Sequence, residues 1–243
     1  MRFGFLDRLR APANTDFTIL IPVYDETKAL VFSKFYFDAI GAKPLYVLNS
    51  NRISRQKEVE NIVQQPVPIY NNPGLFLEAG FDQYVAQAPT DWILRIECDE
   101  APMPEALSFC REFIRQKRRG IGLFDRSELR WQADHFQEII WPDYTGAQWR
   151  FFNRSRVKFD HAIHTGGLKV PTLGRFKAPI AAQILHLDMV FNSQQEIEEK
   201  HAGYERAGHV KSATDLVREN FSWRATKHKG FEEIYRRWLN YES

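Results

Sequence analysis

The sequence is poor in cysteine, has no long apolar run, and carries almost no net charge. Cys98 and Cys110 are the only cysteines in 243 residues, too few for a disulfide scaffold, so we expect a reducing, cytoplasmic setting. No stretch approaches the roughly 20 apolar residues that a membrane-spanning helix needs, and the first residues lack the apolar region of a secretory signal. The 33 basic and 31 acidic residues leave a formal charge of +2. We therefore expect no nucleic-acid partner.

Common nucleotide-binding and nucleophile motifs are also missing from the sequence. No G-x-G-x-x-G follows the first predicted strand, and G-x-x-x-x-G-K-[ST] does not occur. There is no G-x-S-x-G elbow and no pair of C-x-x-C motifs. The ordinary dinucleotide and phosphate cradles are therefore excluded.

Residues 1–125 predict alternating strands and helices. Apolar runs at 17–24, 44–49, 66–71 and 92–97 indicate strands, and the segments 25–42, 52–65 and 74–87 between them indicate helices. The first of these helices is expected to stop at Gly41. Such alternation is typical of an α/β fold with a mostly parallel central sheet flanked by helices.

Residues 126–243 are less regular, although we expect them to complete the same single domain. Residues 126–145 are rich in charge and tryptophan and show little periodicity. QWRFFN, RVKFD and AAQILHLDM predict short strands. Ser193 and Glu196 have the spacing of a capping box at the start of a helix, and the tail from His228 predicts a helix with a stripe of aromatic residues.

Three acids stand at the end of the strand in DWILRIECDE: Glu97, Asp99 and Glu100. Carboxylates this close raise one another's pKa unless a cation lies between them. A hard divalent ion such as Mg²⁺ or Mn²⁺ would relieve the repulsion, at the edge of the sheet where α/β proteins bind ligands. The alternative is an ion pair between Glu97 and Arg95, which has the same strand parity, with Glu100 and Glu105 as ordinary acids near a helix N-terminus. The motif alone leaves both interpretations open.

The order of three motifs resembles that of the family 2 glycosyltransferases with the GT-A fold. TILIPVYDET, YVLNSNR and DWILRIECDE stand where that family has P-x-Y/F-N-E, D-x-S and D-x-D. The segments RWQADHFQEIIWPDYTGAQWRFFNRSRVKF, FDHAIHTGGL and ILHLDMVFNSQQEIEEKHAGY are similar to a bacterial branch of lipopolysaccharide and polysaccharide glycosyltransferases. The resemblance covers about residues 16–208. It implies a GT-A-type nucleotide-diphospho-sugar transferase fold, with a nucleotide-sugar-binding half at 1–125 and an acceptor-side half at 126–243.

The resemblance also implies a donor site and a metal, Mn²⁺ or Mg²⁺. The residues that match the family's base and ribose contacts are Pro22, Tyr24, Glu26, Asn49 and Asn51. Asp99 matches the second D-x-D aspartate and is the leading metal ligand, while Glu97 replaces the first. A histidine of the second half completes the metal site in the family. His164 matches its position, and His186 and His161 are the alternatives.

The resemblance further implies an inverting transfer that uses a general base. Asp143 is the leading candidate, with Asp134 and Glu138 as alternatives. Arg150 is expected either to bind a phosphate or to form a salt bridge on a sheet edge. The residues expected either to stack on sugar rings or to pack in the core are Trp131, Trp141 and Trp149.

Two functions follow from these expectations. The first is a metal-dependent inverting glycosyltransferase that moves a hexose from a nucleotide sugar, with UDP as the expected nucleotide, to a glycan, glycolipid or peptide. The second is an inactive GT-A-like domain that binds a sugar nucleotide, glycan or protein, because Glu97, Asn49 and Thr165 depart from the family pattern. A peripheral contact of residues 1–9 with the inner face of a membrane is an alternative to an ordinary packed terminus.

Overall fold

The computed structural model describes residues 16–74, 77–140, 147–161, 168–169, 174–193, 195–199, 202 and 222–242. The described strands are β1 (Thr18–Val23), β2 (Leu45–Asn49), β3 (Ile69–Tyr70), β4 (Trp92–Arg95), β5 (Glu100–Pro102), β6 (Ile121–Phe124), β7 (Arg126–Gln132), β8 (His135–Ile140), β9 (Gln148–Asn153), β10 (Lys158–Phe159), β11 (Leu168–Lys169), β12 (Arg175–Lys177), β13 (Ile184–His186) and β14 (Ser222–Ala225). The described α-helices are α1 (Thr27–Ala39), α2 (Gln56–Val63), α3 (Phe81–Ala86), α4 (Pro104–Arg115), α5 (Asp188–Phe191) and α6 (Lys229–Glu242). Helical residues at 195–199 precede α6.

The central sheet has seven strands in the order β12-β6-β9-β4-β1-β2-β3. Six of them run in one direction, and β9 alone is antiparallel to both of its neighbours. The prediction of an α/β fold with a mostly parallel central sheet is confirmed. Strands from both halves of the sequence form this sheet, because β9 and β12 return to it after residue 126.

A second sheet has five strands in the order β14-β8-β7-β13-β5. The chain passes three times from the central sheet into this small sheet, from β4 to β5, from β6 to β7 and from β12 to β13. β4, β6 and β12 run in the same direction, so all three crossings leave the carboxyl edge of the central sheet. This edge is where parallel α/β sheets bind ligands.

The two faces of the central sheet are both buried. In β1, Ile19, Ile21 and Val23 belong to the apolar core that also includes α1, α4, α6 and the small sheet. Leu20 points to the opposite face and packs in a second core with Phe81 and neighbouring residues. Successive side chains of a strand alternate between faces, which explains why TILIPV is a continuous apolar run rather than an alternating one.

Local sequence signals account for the ends of several helices. α1 ends in a Schellman motif, in which the amide of Gly41 donates to the carbonyl of Asp38 and that of Ala42 to Phe37. Gly41 has a φ of 72°, a backbone conformation that glycine adopts without strain. The capping box is also confirmed, since the amides of Ser193 and Glu196 each bond to the other's side chain. None of the helices in the described residues is long and apolar enough to cross a membrane.

Candidate active site

The acidic segment is the first crossing between the two sheets. β4 ends at Arg95, and β5 begins at Glu100. Between them the chain turns, with the amide of Glu100 donating to the carbonyl of Glu97 at 3.0 Å. Glu97 and Asp99 therefore lie in a turn and not on one face of an extended strand. The thiol of Cys98 donates to the carbonyl of Pro22 at 3.3 Å, which holds this turn beside the carboxyl end of β1.

Two arginines neutralise part of the acidic segment. Nη1 of Arg150 lies 2.9 Å from Oε1 of Glu97, and Nη2 of Arg150 contacts Glu100. Nη2 of Arg95 lies 3.3 Å from the same oxygen of Glu97, so the ion pair with Arg95 is present. Arg150 is only 1% exposed, and it belongs to β9, an internal strand of the central sheet. The structure thus places Arg150 neither at an open phosphate site nor on a sheet edge, but in a buried ion pair that joins the two sheets.

The ionisation of the two glutamates follows from this pairing. Burial by itself raises the pKa of Glu97, but the charges of Arg150 and Arg95 outweigh it and hold the pKa well below its ordinary value. Burial raises the pKa of Glu100, and the charge of Glu97 adds to this increase while Arg150 opposes it. Glu97 is therefore an anion at neutral pH, and Glu100 binds a proton more readily than an exposed glutamate does.

Beyond the arginines, Asp99 is in contact with His186. In the small sheet, His186 lies opposite Glu128 of β7 and opposite Glu100 of β5. Nδ1 of His186 contacts Oε2 of Glu128, and Nε2 lies 3.4 Å from Oδ2 of Asp99. The amide of Leu187 donates to the carbonyl of Asp99 at 2.8 Å. The fold therefore brings residues 99, 128 and 186 into one series of contacts.

The charges in this series alternate in sign. Burial by itself lowers the pKa of His186, but the carboxylates of Glu128 and Asp99 raise it well above its ordinary value. Burial by itself raises the pKa of Glu128, but the positive charges of His186 and Arg126 outweigh this effect and lower the pKa to about 2. In the metal-free protein, His186 is therefore an imidazolium at neutral pH between two carboxylates.

The residues predicted to bind the donor base lie at the carboxyl ends of β1 and β2, beside Tyr70 of β3. The hydroxyls of Tyr24 and Tyr70 are 3.0 Å apart. Asn49 is buried, and its Oδ1 accepts the amide of Asn51 at 3.0 Å. Nδ2 of Asn51 donates to the carbonyl of Gly74 at 3.0 Å. Tyr24, which follows β1, and Asn49, the last residue of β2, thus form one polar group, and the ring of Tyr24 also packs against the second apolar core.

The other predicted donor contacts are placed as follows. Pro22 is buried in β1 and offers its carbonyl to Cys98. Glu26 is half-buried at the start of α1. Beside it, Asp25 pairs with Arg52 at 2.7 Å and with Arg55 at 3.5 Å, so cationic side chains border this end of the sheet.

The remaining candidates divide into described and undescribed residues. Nδ1 of His161 contacts the carbonyl of Glu78 at 3.0 Å. This contact does not connect His161 to Asp99 or His186. Glu138 accepts a hydrogen bond from Ser127 and pairs with Arg224. Asp134 forms part of the turn between β7 and β8. The predicted residues Trp141, Asp143 and His164 lie outside the described residues.

Of the three candidate tryptophans, the two that lie in the described residues both have an arginine over the ring. Trp131 packs on Phe136 and Tyr235 and lies 5.1 Å from the guanidinium of Arg236. Trp149 lies 5.0 Å from the guanidinium of Arg175. Both are half-buried. Trp131 is therefore mainly a packing residue between the small sheet and α6.

Comparison with known proteins gives little further information. No protein-family model matches the sequence, and no curated protein matches it. Among solved structures, a crystal structure of S. aureus TarS 1–349 is 15% identical with a TM-score of 0.33, covering 49% of this chain and 37% of that one. A second S. aureus TarS structure is 16% identical with a TM-score of 0.32, covering 49% of this chain and 23% of that one. The match thus spans well under half of either TarS chain, and a likeness of this size does not assign a family.

The Asp99–His186 pair has the chemistry to hold a divalent cation. Carboxylate oxygen suits Mg²⁺ and Mn²⁺, and histidine is the commonest metal ligand among side chains. Ligand atoms about 2.1 Å from one cation lie about 3 Å apart, near the observed 3.4 Å. Within the described ranges, however, no three His, Cys, Asp or Glu side chains are grouped around a metal position. The pair therefore fits a cation that takes its remaining ligands from outside the described His, Cys, Asp and Glu side chains, and within those ranges Glu97 belongs to no group of three ligands.

Some residues of the site were not singled out by the sequence. Glu128 and Arg126 belong to β7, in the segment where no strand was predicted. Its sequence RSELRWQ alternates between polar and apolar residues from Glu128 to Gln132, which was the available signal for a strand. Tyr70 was assigned to a weak strand but not to the site, because a strand tyrosine is an ordinary core residue and its contact with Tyr24 is a long-range feature.

Proposed function

We propose that this protein is a metal-dependent inverting glycosyltransferase of the GT-A type. It would move a hexose from a nucleotide sugar, with UDP as the nucleotide, to a hydroxyl of a glycan, glycolipid or peptide. The main support is the approach of Asp99 to His186 at the carboxyl edge of the central sheet, where Nε2 and Oδ2 are 3.4 Å apart. The polar group of Tyr24, Asn49 and Asn51 follows the neighbouring strands and is the proposed site of the nucleotide base and ribose.

In this proposal each residue has a separate role. Asp99 and His186 would hold the cation, which offsets negative charge on the leaving diphosphate. Tyr24 and Asn49 would orient the nucleoside.

The proposed chemical step is a direct displacement. The acceptor oxygen attacks the anomeric carbon as the bond from that carbon to the diphosphate breaks, and a carboxylate takes the hydroxyl proton. Asp143 remains the proposed base, because Glu138 is already bound to Ser127 and Arg224. Arg150 and Glu100 would hold the acidic turn in place through their contacts with Glu97.

Thermal unfolding tests the donor site. The protein would be heated with Mn²⁺ alone, with UDP-, GDP-, dTDP- and CMP-sugars alone, and with each combination. A ligand that binds only the folded state at 100 times its Kd stabilises that state by about 2.7 kcal/mol. We expect a rise in Tm that needs both Mn²⁺ and one nucleotide class. No rise with any combination would contradict the proposal.

The variant Asp99→Asn makes the test specific. It keeps the shape of the side chain but removes the negative charge that the cation requires, so the Mn²⁺-dependent rise in Tm should disappear. Asp125→Asn is the matched control, because Asp125 follows β6 at the same edge of the sheet and pairs with Lys177 at 3.0 Å, away from His186. A full Mn²⁺-dependent rise in the Asp99 variant would show that the cation binds elsewhere.

The second candidate function, a binding domain without catalysis, is favoured by one observation. Arg150, Arg95 and the protonated His186 already neutralise the acidic turn in the metal-free protein, so the carboxylates do not require a metal. A rise in Tm with a nucleotide sugar or a glycan that is independent of Mn²⁺ and unaffected by Asp99→Asn would support this alternative.

A further inference from the structure

The contact between Glu128 and His186 has a geometry that is set by the sheet. β7 and β13 are parallel, and their register places Glu128 directly opposite His186. Side chains at directly paired positions lie on the same face of a sheet and are neighbours. Both residues are at least nine-tenths buried, so their contact is protected from water.

The carboxylate of Glu128 is held at both of its oxygens. Oε1 lies 2.6 Å from Nη2 of Arg126, two residues earlier in the same strand. Oε2 contacts Nδ1 of His186. A carboxylate fixed in this way cannot rotate freely, so it presents a constant acceptor to the imidazole.

This arrangement determines which ring nitrogen of His186 can serve as a ligand. A neutral histidine has one N–H and one lone pair, and the partner of the N–H decides which nitrogen carries the proton. Glu128 can only accept at Nδ1, so the lone pair is left on Nε2. That nitrogen faces Asp99 at 3.4 Å.

We propose that Glu128 is a positioning residue that fixes the orientation and tautomer of His186, so that Nε2 and Asp99 together bind the divalent cation. This inference rests on the proposed function, because it concerns the same cation. It adds a residue that does not touch the cation, the donor or the acceptor. Carboxylates that accept the second N–H of a metal-bound histidine typically change metal affinity by 10- to 100-fold when they are replaced.

The experiment measures Mn²⁺ binding to the full chain by the electron paramagnetic resonance signal of free Mn²⁺, with and without saturating UDP. The variants are Glu128→Gln and Glu128→Ala. Glutamine has only one acceptor oxygen for the two donors, Arg126 and His186, that share the carboxylate, whereas alanine removes both acceptors. Glu138→Gln is the matched control, since Glu138 is on the adjacent strand β8 and its side chain is similarly buried (13% exposed, against 9% for Glu128), but it binds Ser127 and Arg224 instead of the histidine.

We expect affinity for Mn²⁺ to fall about 10-fold in Glu128→Gln and up to about 100-fold in Glu128→Ala, with no change in Glu138→Gln. A second readout uses ¹⁵N-labelled histidine with Mg²⁺ and UDP in place of Mn²⁺. At the Mg²⁺ concentration that just saturates the parent protein, His186 of the parent should be a single tautomer with the proton on Nδ1. In Glu128→Gln the amide NH2 can donate to Nδ1 while the amide oxygen faces Arg126, so this tautomer should lose its predominance at the same Mg²⁺ concentration. Circular dichroism would check that each variant is folded, and Glu128→Gln carries the test if Glu128→Ala does not fold.

The possible outcomes distinguish the positioning role of Glu128 from the metal-dependent function. Unchanged Mn²⁺ affinity and an unchanged tautomer in Glu128→Gln would overturn the role of Glu128 while leaving the metal site intact. Failure of the parent protein to bind Mn²⁺, alone or with UDP, would overturn both the metal-dependent function and the positioning role. A graded loss in the order parent, glutamine, alanine would support both.

Discussion

At the scale of single residues, the site is built from polar groups that the fold holds away from water. Tyr24, Tyr70 and Tyr84 lie close together. The hydroxyls of Tyr24 and Tyr70 are 3.0 Å apart, and the ring centroids of Tyr70 and Tyr84 are 5.4 Å apart. Burial raises the pKa of all three phenols, and it raises that of Tyr70 to about 12. An unfolded tyrosine ionises near pH 10. The phenols therefore stay neutral over the whole physiological range, and those of Tyr24 and Tyr70 hydrogen-bond to each other.

Titration of the tyrosines tests this description. As the pH rises from 10 to 12, the unfolded chain releases the Tyr70 proton before the folded one does, so stability falls with increasing pH in this range. The absorbance of phenolate should show that the buried tyrosines ionise later in the folded protein than in urea. In Tyr70→Phe, one of the tyrosine ionisations above pH 10 should be missing from the titration of the folded protein. Ionisation of all 9 tyrosines near pH 10 without unfolding would contradict the burial of these groups.

At the scale of elements, α6 is held by its aromatic stripe. Phe231, Tyr235 and Trp238 are buried at helical spacing, and all three rings contact Phe32 of α1. This spacing was readable in the sequence and predicted a helix with a packing face. Arg236 and Arg237 of the same helix are exposed, as charged residues of a surface helix usually are.

Replacing single residues of α6 tests how much this packing contributes. Trp238 is fully buried, so Trp238→Ala should lower the free energy of unfolding by about 3–5 kcal/mol. Tyr241 belongs to the same helix but is 73% exposed, and Tyr241→Ala should change the free energy by about 0.5 kcal/mol or less. Urea unfolding measures both. Equal effects would mean that α6 does not dock through this stripe.

The elements also show which structures local sequence can predict. β1, β2, α1 and the capping box at Ser193 follow from apolar runs and helix signals that act within a few residues. The β7–β8 hairpin was not predicted, because its turn at Ala133 and Asp134 has positive φ values of 49° and 63° without the glycine that usually marks such turns. Asp99 and His186 were both candidates, but their contact depends on two crossings between sheets. The choice of His186 over His161 therefore required the tertiary structure.

At the scale of the whole molecule, the buried ion pairs lie where the two sheets meet. Arg150 comes from the central sheet, whereas Glu100 comes from the small sheet, and both are almost completely buried. Arg126 continues the network from Glu100 to Glu128. These contacts fix the acidic turn relative to His186, so the geometry of the site depends on how the sheets are joined.

Removing one member of this network should be more harmful than removing two. Arg150→Met leaves Glu100 buried without its main counter-charge, and such losses cost about 3–5 kcal/mol. The double variant Arg150→Met/Glu100→Gln removes the unpaired charge. Its glutamine oxygen can still accept the hydrogen bond that the amide of Glu97 donates to Glu100 at 2.9 Å. The double variant should therefore regain a large part of the lost stability in urea unfolding. If it were as unstable as Arg150→Met alone, the loss would come from the packing of the arginine side chain, and charge balance between the sheets would not be what holds the site together.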